Sequence, residues 1–363
     1  MLTRFLNTFP KKLLACALVL FLFSLTAFQA LGEGTDILLT FTGDCTLGSE
    51  DRLKDKSYSI QRYIRDFGYG YPFLNMKDLF TRDDLTVINL ENVFSDSMAG
   101  RAKKTYNFRS PRDFARILPE GGVELAFLGN NHIMDYGVRG LNDTLAALES
   151  AGVAWFADTK EASAYYILEK NGVKVGFTGA YTSYWHANPE GLEQTFLKLK
   201  ELGCDAIVGV MHGGAEYSPV RNYAQQRMAE FMAAQGAAVV IGHHPHVVQG
   251  LEIIGQTSVA YSLGNFSFGG NRELRATKAL IAQVTLRFSE NKTYLGHQLN
   301  LIPVCPSGTL EFNDYQPAFL GGEDAAQTIA LVQRDSDFTL SPYVEGLGAL
   351  QPFVPAGAPE AMQ

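Results

Sequence analysis

With 363 residues, 46% of them hydrophobic and 19% charged, the chain has the make-up of an ordinary globular protein with ample core. Its formal charge of −8 excludes a general nucleic-acid binder, and no nucleic-acid partner is expected. Four cysteines, three of them beyond the N-terminal stretch, exclude a disulfide framework.

Arg4, Lys11 and Lys12 precede an uncharged, mostly apolar stretch over 13–31, of which about 18 residues are enough to cross a bilayer core. The pattern predicts an export signal or an N-terminal anchor, the lysine pair keeping the N-terminus in the cytoplasm and sending the remainder outside. Phe28 stands where cleavage before or after Ala30 prefers a small residue. The expectation is therefore an uncleaved, single-pass anchor in the cell membrane with an extracytoplasmic body, secretion after cleavage being the alternative. Residues 1–34 are read as signal or anchor, 35–335 as the folded domain, and 336–363 as a Pro- and Gly-rich tail, partly disordered.

The body opens with a β-rich run over 36–42 that ends in Gly43-Asp44. A carboxylate at a strand's C-terminal end faces the crevice in open α/β sheets. A second run, 85–90, delivers Glu91, preceded by Asn89. Between 101 and 116 six Lys/Arg face one Asp. In an acidic protein this local reversal, with Arg109 as its candidate contact, offers a place for an anionic substrate; a solvated surface loop is the plainer reading. The third run, 123–128, ends in Gly129-Asn130-Asn131-His132. Asn131 offers a neutral oxygen ligand, His132 exchanges a proton near neutral pH, and Asp135 is placed to orient its imidazole.

A helix is predicted over 137–150, closed by Gly152, and a hairpin over 164–180 turning at Asn171-Gly172. His186 reads as a loop residue. After a helix over 190–202, the fourth run, 206–211, ends in His212-Gly213-Gly214-Ala215-Glu216-Tyr217, with Glu216 as a site-lining candidate. A helix over 221–235 leads to a buried strand, 237–241. It ends in Gly242-His243-His244-Pro245-His246, where Pro245 fixes φ between two rings that a loop can aim at one point. Paired strands over 248–254 and 257–261 end in Ser262-Leu263-Gly264-Asn265-Phe266, with Asn265 a further candidate substrate contact. Antiparallel edge strands over 278–288 and 293–303, with His297 alone on a strand face, and a short helix over 327–334 complete the body.

Asp44, Glu91, Asn131, His132, His212, His244 and His246 all follow predicted buried strands and so converge at one sheet edge. Oxygen and nitrogen ligands without thiolate suit Zn, Mn or Fe. A bridging carboxylate fits two divalent ions about 3.5 to 4 Å apart.

The order of acid, acid, Asn-His, His and His-x-His resembles the calcineurin-like metallophosphoesterases. The wording GD, NLE, NNH-x-x-D-x-G, HGGAEY, GHHPHVVQ and YSLGNF is similar to the CapA-type proteins of capsule and poly-γ-glutamate biosynthesis, over about residues 37–268. The resemblance implies an α/β fold, a four-layer α/β/β/α sandwich of the metallophosphoesterase type. It implies that Asp44, Glu91, Asn131, His212, His244 and His246 are metal ligands and that His132 assists the leaving group as acid. Two departures stand out: Thr46 occupies a position usually held by histidine, and Glu91 one usually held by aspartate, which implies a weaker first metal site. The function implied is a metal-dependent hydrolase acting on an amide or phosphoester bond of an anionic polymer such as poly-γ-glutamate. The alternatives are a non-catalytic subunit working with membrane synthase or export components, and a sugar- or peptide-binding domain.

Overall fold

Apolar runs bounded by Gly, Asp and Asn become parallel strands whose ends lie along one rim. In the computed structural model, which describes residues 34–159 and 163–357, four strands lie side by side and parallel. They are β1 (Thr35–Thr46), β2 (Leu85–Leu90), β3 (Leu125–Phe127) and β4 (Ala154–Asp158). Phe41 stands opposite Val87, Val87 opposite Leu125, and Phe127 opposite Phe156. Between them run α1 (Ile60–Phe67) and α2 (Gly137–Ala151), the latter ended by Gly152 at a φ of 72°. That left-handed cap is the stop signal read in the sequence.

The second sheet begins with the expected hairpin of β5 (Tyr166–Lys170) and β6 (Val173–Tyr181). Asn171 and Gly172 have φ of 53° and 78°, as a two-residue turn between twisted strands requires. Then β7 (Ala206–His212) and β8 (Val239–His243) add in parallel. β9 (Leu251–Ile254) and β10 (Thr257–Ala260) form an antiparallel pair, with β10 parallel beside β8. β11 (Asn265–Phe268) returns to the first sheet and lies parallel to the end of β1, Asn265 opposite Asp44. β12 (Ala279–Phe288) and β13 (Tyr294–Cys305) close that sheet antiparallel on the far side of β1.

β4 is the joint between the sheets. Its Phe156 pairs with Phe127 on β3, and two residues later Asp158 pairs with Ala180 on β6. Phe127, Phe156 and Phe177 fill the angle with ring centroids 5.3 and 6.0 Å apart, all fully buried; each contributes about 1.5–3 kcal/mol by leaving water.

Strand period two sorts the layers. Val208, Val210, Val239 and Ile241 point into the main core with Leu39, Phe41 and Val87 of the first sheet. Ile207, Met211 and Val240 point the other way, onto α3 (Pro189–Glu201) and α4 (Tyr223–Ala234) through Phe196, Leu199, Met228 and Met232. A capping box of Asn222 and Gln225 starts α4. On the other side α2 packs against β4 and the short strand Val93–Phe94. The layers stack as the expected α/β/β/α sandwich.

Several expectations change. His186 lies in a short helix, Thr182–Ala187, its ring 4.8 Å from Trp185. The closing helix, α5, is longer, Gly322–Arg334. The stretch read as a tail instead pairs with β13, Leu350 opposite Asn300 and Val354 opposite His297; residues 358–363 lie outside the described residues. The single-pass placement in the cell membrane is corrected. Among the described residues no helix is long and apolar enough to cross a membrane, and the 13–31 stretch on which the expectation rested lies outside them.

Candidate metal centre

The acidic and imidazole side chains gather where the parallel strands end. Asp44 lies in the last turn of pleat of β1, Glu91 directly after β2, Asn131 and His132 beyond β3, His212 at the end of β7, and His244 and His246 beyond β8. Close packing at the strand ends fixes this rim. A Cβ on Gly43 would run into the Gly264 carbonyl, and one on Gly242 into that of Tyr261. The loop after Gly242 is strained: His244 and His246 have φ of 100° and 59°, a left-handed backbone that costs about 1–3 kcal/mol per non-glycine residue and concentrates at functional sites.

Asp44 and Glu91 differ in how they are satisfied. Asp44 is fully buried and accepts from Asn89 Nδ2 at 2.8 Å and the His244 amide at 3.2 Å, with His243 Nδ1 and His246 Nδ1 at 3.2 and 3.1 Å. Burial alone would raise its pKa, yet the His243 and His246 hydrogen bonds hold it well below the usual carboxylate range. Glu91 is equally buried, but neither carboxylate oxygen has a hydrogen-bond partner. Burial, and the Asp44 charge next to it, push its carboxyl well above the usual range. An unpaired buried carboxylate is costly unless a cation meets it.

Glu91 is the member shared by two groups of donors. Asp44, Glu91 and His246 form one, and Glu91, His212 and His244 the other, each with its donor atoms within 4.8 Å of one another. His212 Nε2 lies 2.8 Å from Asn131 Oδ1, 3.1 Å from His244 Nδ1 and 3.6 Å from Glu91 Oε1, so four donors surround one point. Burial, followed by the neighbouring imidazoles, drives His212 well below the ordinary histidine pKa and His244 down to about 4. Both therefore keep neutral, lone-pair-bearing rings at neutral pH. His246 goes the other way: burial opposes its charge, but Glu91 and then Asp44 lift it to about 9. The donor set of carboxylate, amide oxygen and imidazole, with orphaned Glu91 oxygens at its centre, fits divalent cations. Cys45 contributes nothing to it; its thiol sits on Thr42 and the Gly43 carbonyl. Thr46 supplies no ligand either, donating its hydroxyl to the Glu91 carbonyl at 3.2 Å.

His132 stands at the edge of this cluster, Nε2 3.8 Å from Glu91 Oε1. Its Nδ1 lies 2.8 Å from Asp135 Oδ2, which also accepts from the Phe108 amide at 2.6 Å. Lys104 pairs with Asp135 and donates to the Asn131 carbonyl at 2.8 Å. Burial lowers the pKa of His132, against the pull of Asp135.

The three candidate substrate contacts part company. Glu216 is exposed and lines a slot with His132 and His246. Asn265 stands behind the site, its Oδ1 2.9 Å from His246 Nδ1, and so orients a ring. Arg109 is not brought to the rim: its guanidinium donates to Asp51 at 2.5 Å and to the Ser95 carbonyl at 2.6 Å, in the wall of a separate cavity. Its strand, Arg109–Ser110, pairs with Val93–Phe94, which turns the side chain into the fold.

Other contributors were not singled out from the sequence. Asn89 donates to Asp44, accepts from Asn130 at 3.0 Å and lies 3.2 Å from His212 Nδ1. Strand alternation held the signal, since 89 stands two positions before 91, one full strand period, at the end of β2. Lys104 carried none, because loop packing alone places it.

A family model described as bacterial capsule synthesis protein PGA_cap matches residues 38–270. The chain belongs to this family. The chain is 27% identical over 258 residues to the capsule biosynthesis protein CapA of Bacillus anthracis, covering 65% of this chain and 61% of that one. It is 28% identical over 248 residues to the PGA biosynthesis protein CapA of Bacillus subtilis (strain 168), covering 63% and 62%. The match thus spans about three-fifths of the length of these curated relatives. Among solved structures, a putative 5'-nucleotidase from Staphylococcus aureus superposes with a TM-score of 0.48 at 16% identity, over 85% of this chain and 61% of that one.

Proposed function

We propose that this PGA_cap protein is a metal-dependent hydrolase of capsule or poly-γ-glutamate biosynthesis that cleaves an amide or phosphoester bond in an anionic polymer. The observation that carries the reading is Glu91, buried with both oxygens unpaired between two groups of donors. Asp44, Glu91 and His246 would hold one divalent cation, and Glu91, His212 and His244, with Asn131, the other. When bound, such ions supply Lewis-acid polarisation and neutralise developing negative charge.

The chain's own groups then have separate tasks. Asp44 stays ionised because His243 and His246 hydrogen-bond it. Asp135 engages Nδ1 of His132, leaving Nε2 as the atom that carries a proton to a leaving group. Lys104 clamps Asp135 and the Asn131 carbonyl, so that ring and amide move as one. Phe108, its ring 4.5 Å from that of His132, and Phe268, 5.2 Å from that of His246, keep water off the histidines.

The test is elemental analysis of the purified protein together with turnover of γ-glutamyl peptides and phosphodiesters. Wild type is expected to hold divalent metal and to hydrolyse one class. Glu91→Gln should lose metal and at least about 100-fold in rate, the scale of losing a charge-stabilising group. Metal-loaded wild type inactive on both classes, or a Glu91→Gln variant that retains metal and activity, would sink the reading.

A further inference from the structure

Beside the cluster, and outside the donor groups, lies a slot of about 40 Å³ bounded by Tyr106, Tyr217, Phe268, Glu216 and Arg275, with His132 and His246 at its inner end. Tyr217 is built into the metal-site loop. Its amide donates to the Pro245 carbonyl at 2.8 Å, its ring is 5.9 Å from that of His246, and its φ of 60° is left-handed.

The Arg275 guanidinium lies 5.6 Å from the centroid of that ring. The Tyr217 and Tyr106 phenols favour its charge. Among the described residues no carboxylate lies within ion-pair distance of it, although the chain carries more acids than bases. An arginine that stacks on a fixed ring, keeps its fork free of carboxylates and opens on a reaction centre is an anion receptor.

We propose that Arg275 receives a carboxylate of the substrate unit next to the scissile bond, and so selects polyacid chains over neutral ones. The term "scissile" rests on the hydrolase reading above; the carboxylate contact does not. A carboxylate carries one charge, which the single guanidinium can balance. A phosphate brings more charge, which Glu216 in the same wall repels more strongly.

The experiment measures binding rather than cleavage, with a fluorescein-labelled oligo-γ-glutamate and the same oligomer with its carboxylates converted to carboxamides. The acidic oligomer should bind wild type at least about tenfold more tightly than it binds Arg275→Ala, as expected for loss of one charge-assisted pair. Arg275→Lys should recover part of the loss. Arg272→Ala, on the same segment but against Tyr58, should bind as wild type does. The carboxamide oligomer should be weak on wild type and no weaker on Arg275→Ala. Inorganic phosphate at millimolar concentration should compete poorly. Unchanged binding by Arg275→Ala, equal binding of both oligomers, no binding of the acidic oligomer by wild type, or displacement by phosphate would each overturn the proposal. Metal content, read in parallel, separates the two readings: its absence defeats the hydrolase, while a binding loss confined to Arg275 leaves the receptor standing.

Discussion

Asn89 shows how one neutral side chain sets up a charged site. Its amide donates to Asp44, accepts from Asn130 and abuts His212, linking three strand ends. Such partners fix the direction of a ligand's lone pair, and their loss costs about 10–100-fold in metal affinity. Asn89→Ala is therefore expected to weaken metal binding on that scale without abolishing it, read by titration with a chelator of known affinity. Most of the donor cluster was legible in the sequence because each member sits at or just past the end of an apolar run. Asp44, Glu91, His212, His244 and His246 needed only the rule that strand ends share a rim. Arg109 misled because a basic segment carries no period. Two residues of it pair with Val93–Phe94, and its guanidinium is taken up by Asp51.

At the level of the element, the decisive parts are the turns out of β1 and β8. Gly242 packs its Cα against the Tyr261 carbonyl, and the backbone then passes through two left-handed histidines. Gly242→Ala puts a methyl group where backbone already is, and overpacking of this kind costs about 1–3 kcal/mol. The expected outcome is a lower melting temperature together with reduced metal content, because His243 and His244 move with the turn. A variant that melts lower yet holds metal fully would show that the turn serves stability alone. The sequence supplied the glycine and the proline of this loop, but not the signs of φ at His244 and His246. Those are imposed by the His244 amide reaching Asp44 and by Tyr217 donating to Pro245. The end of β1 was likewise read short: the strand continues past Gly43 to Thr46 because β11, distant in sequence, pairs with its end.

Across the whole molecule, His297 is a second place where the layers meet. Read alone on a strand face, it instead has Tyr294 Oη 2.7 Å from Nδ1 and Ser258 Oγ 2.6 Å from Nε2, while Gln351 donates to the same Ser258 hydroxyl at 2.6 Å. That joins β13, β10 and the segment after α5. Burial lowers the His297 pKa to about 4. The folded state thus refuses a proton that the unfolded chain takes up near its ordinary pKa of about 6.5. The stability it contributes is present above about pH 6.5 and is lost as pH falls toward 4, up to about 3 kcal/mol. His297→Gln should flatten the dependence of melting temperature on pH across that window, measured with chelator in both proteins. An unchanged slope would remove His297 from the account.

Asp44 and Glu91 rise from one sheet, whereas His212, His244 and His246 come from the other. An ion held among them would be a rivet through two layers, added to their apolar packing, the β4 seam and the hydrogen bonds at His297 and Asn89. Stripping it with chelator should speed amide hydrogen exchange at the ends of β1, β2, β7 and β8 together, and leave the β5–β6 hairpin at its former rate. Exchange that rises in one sheet only would place the ion's grip on a single layer.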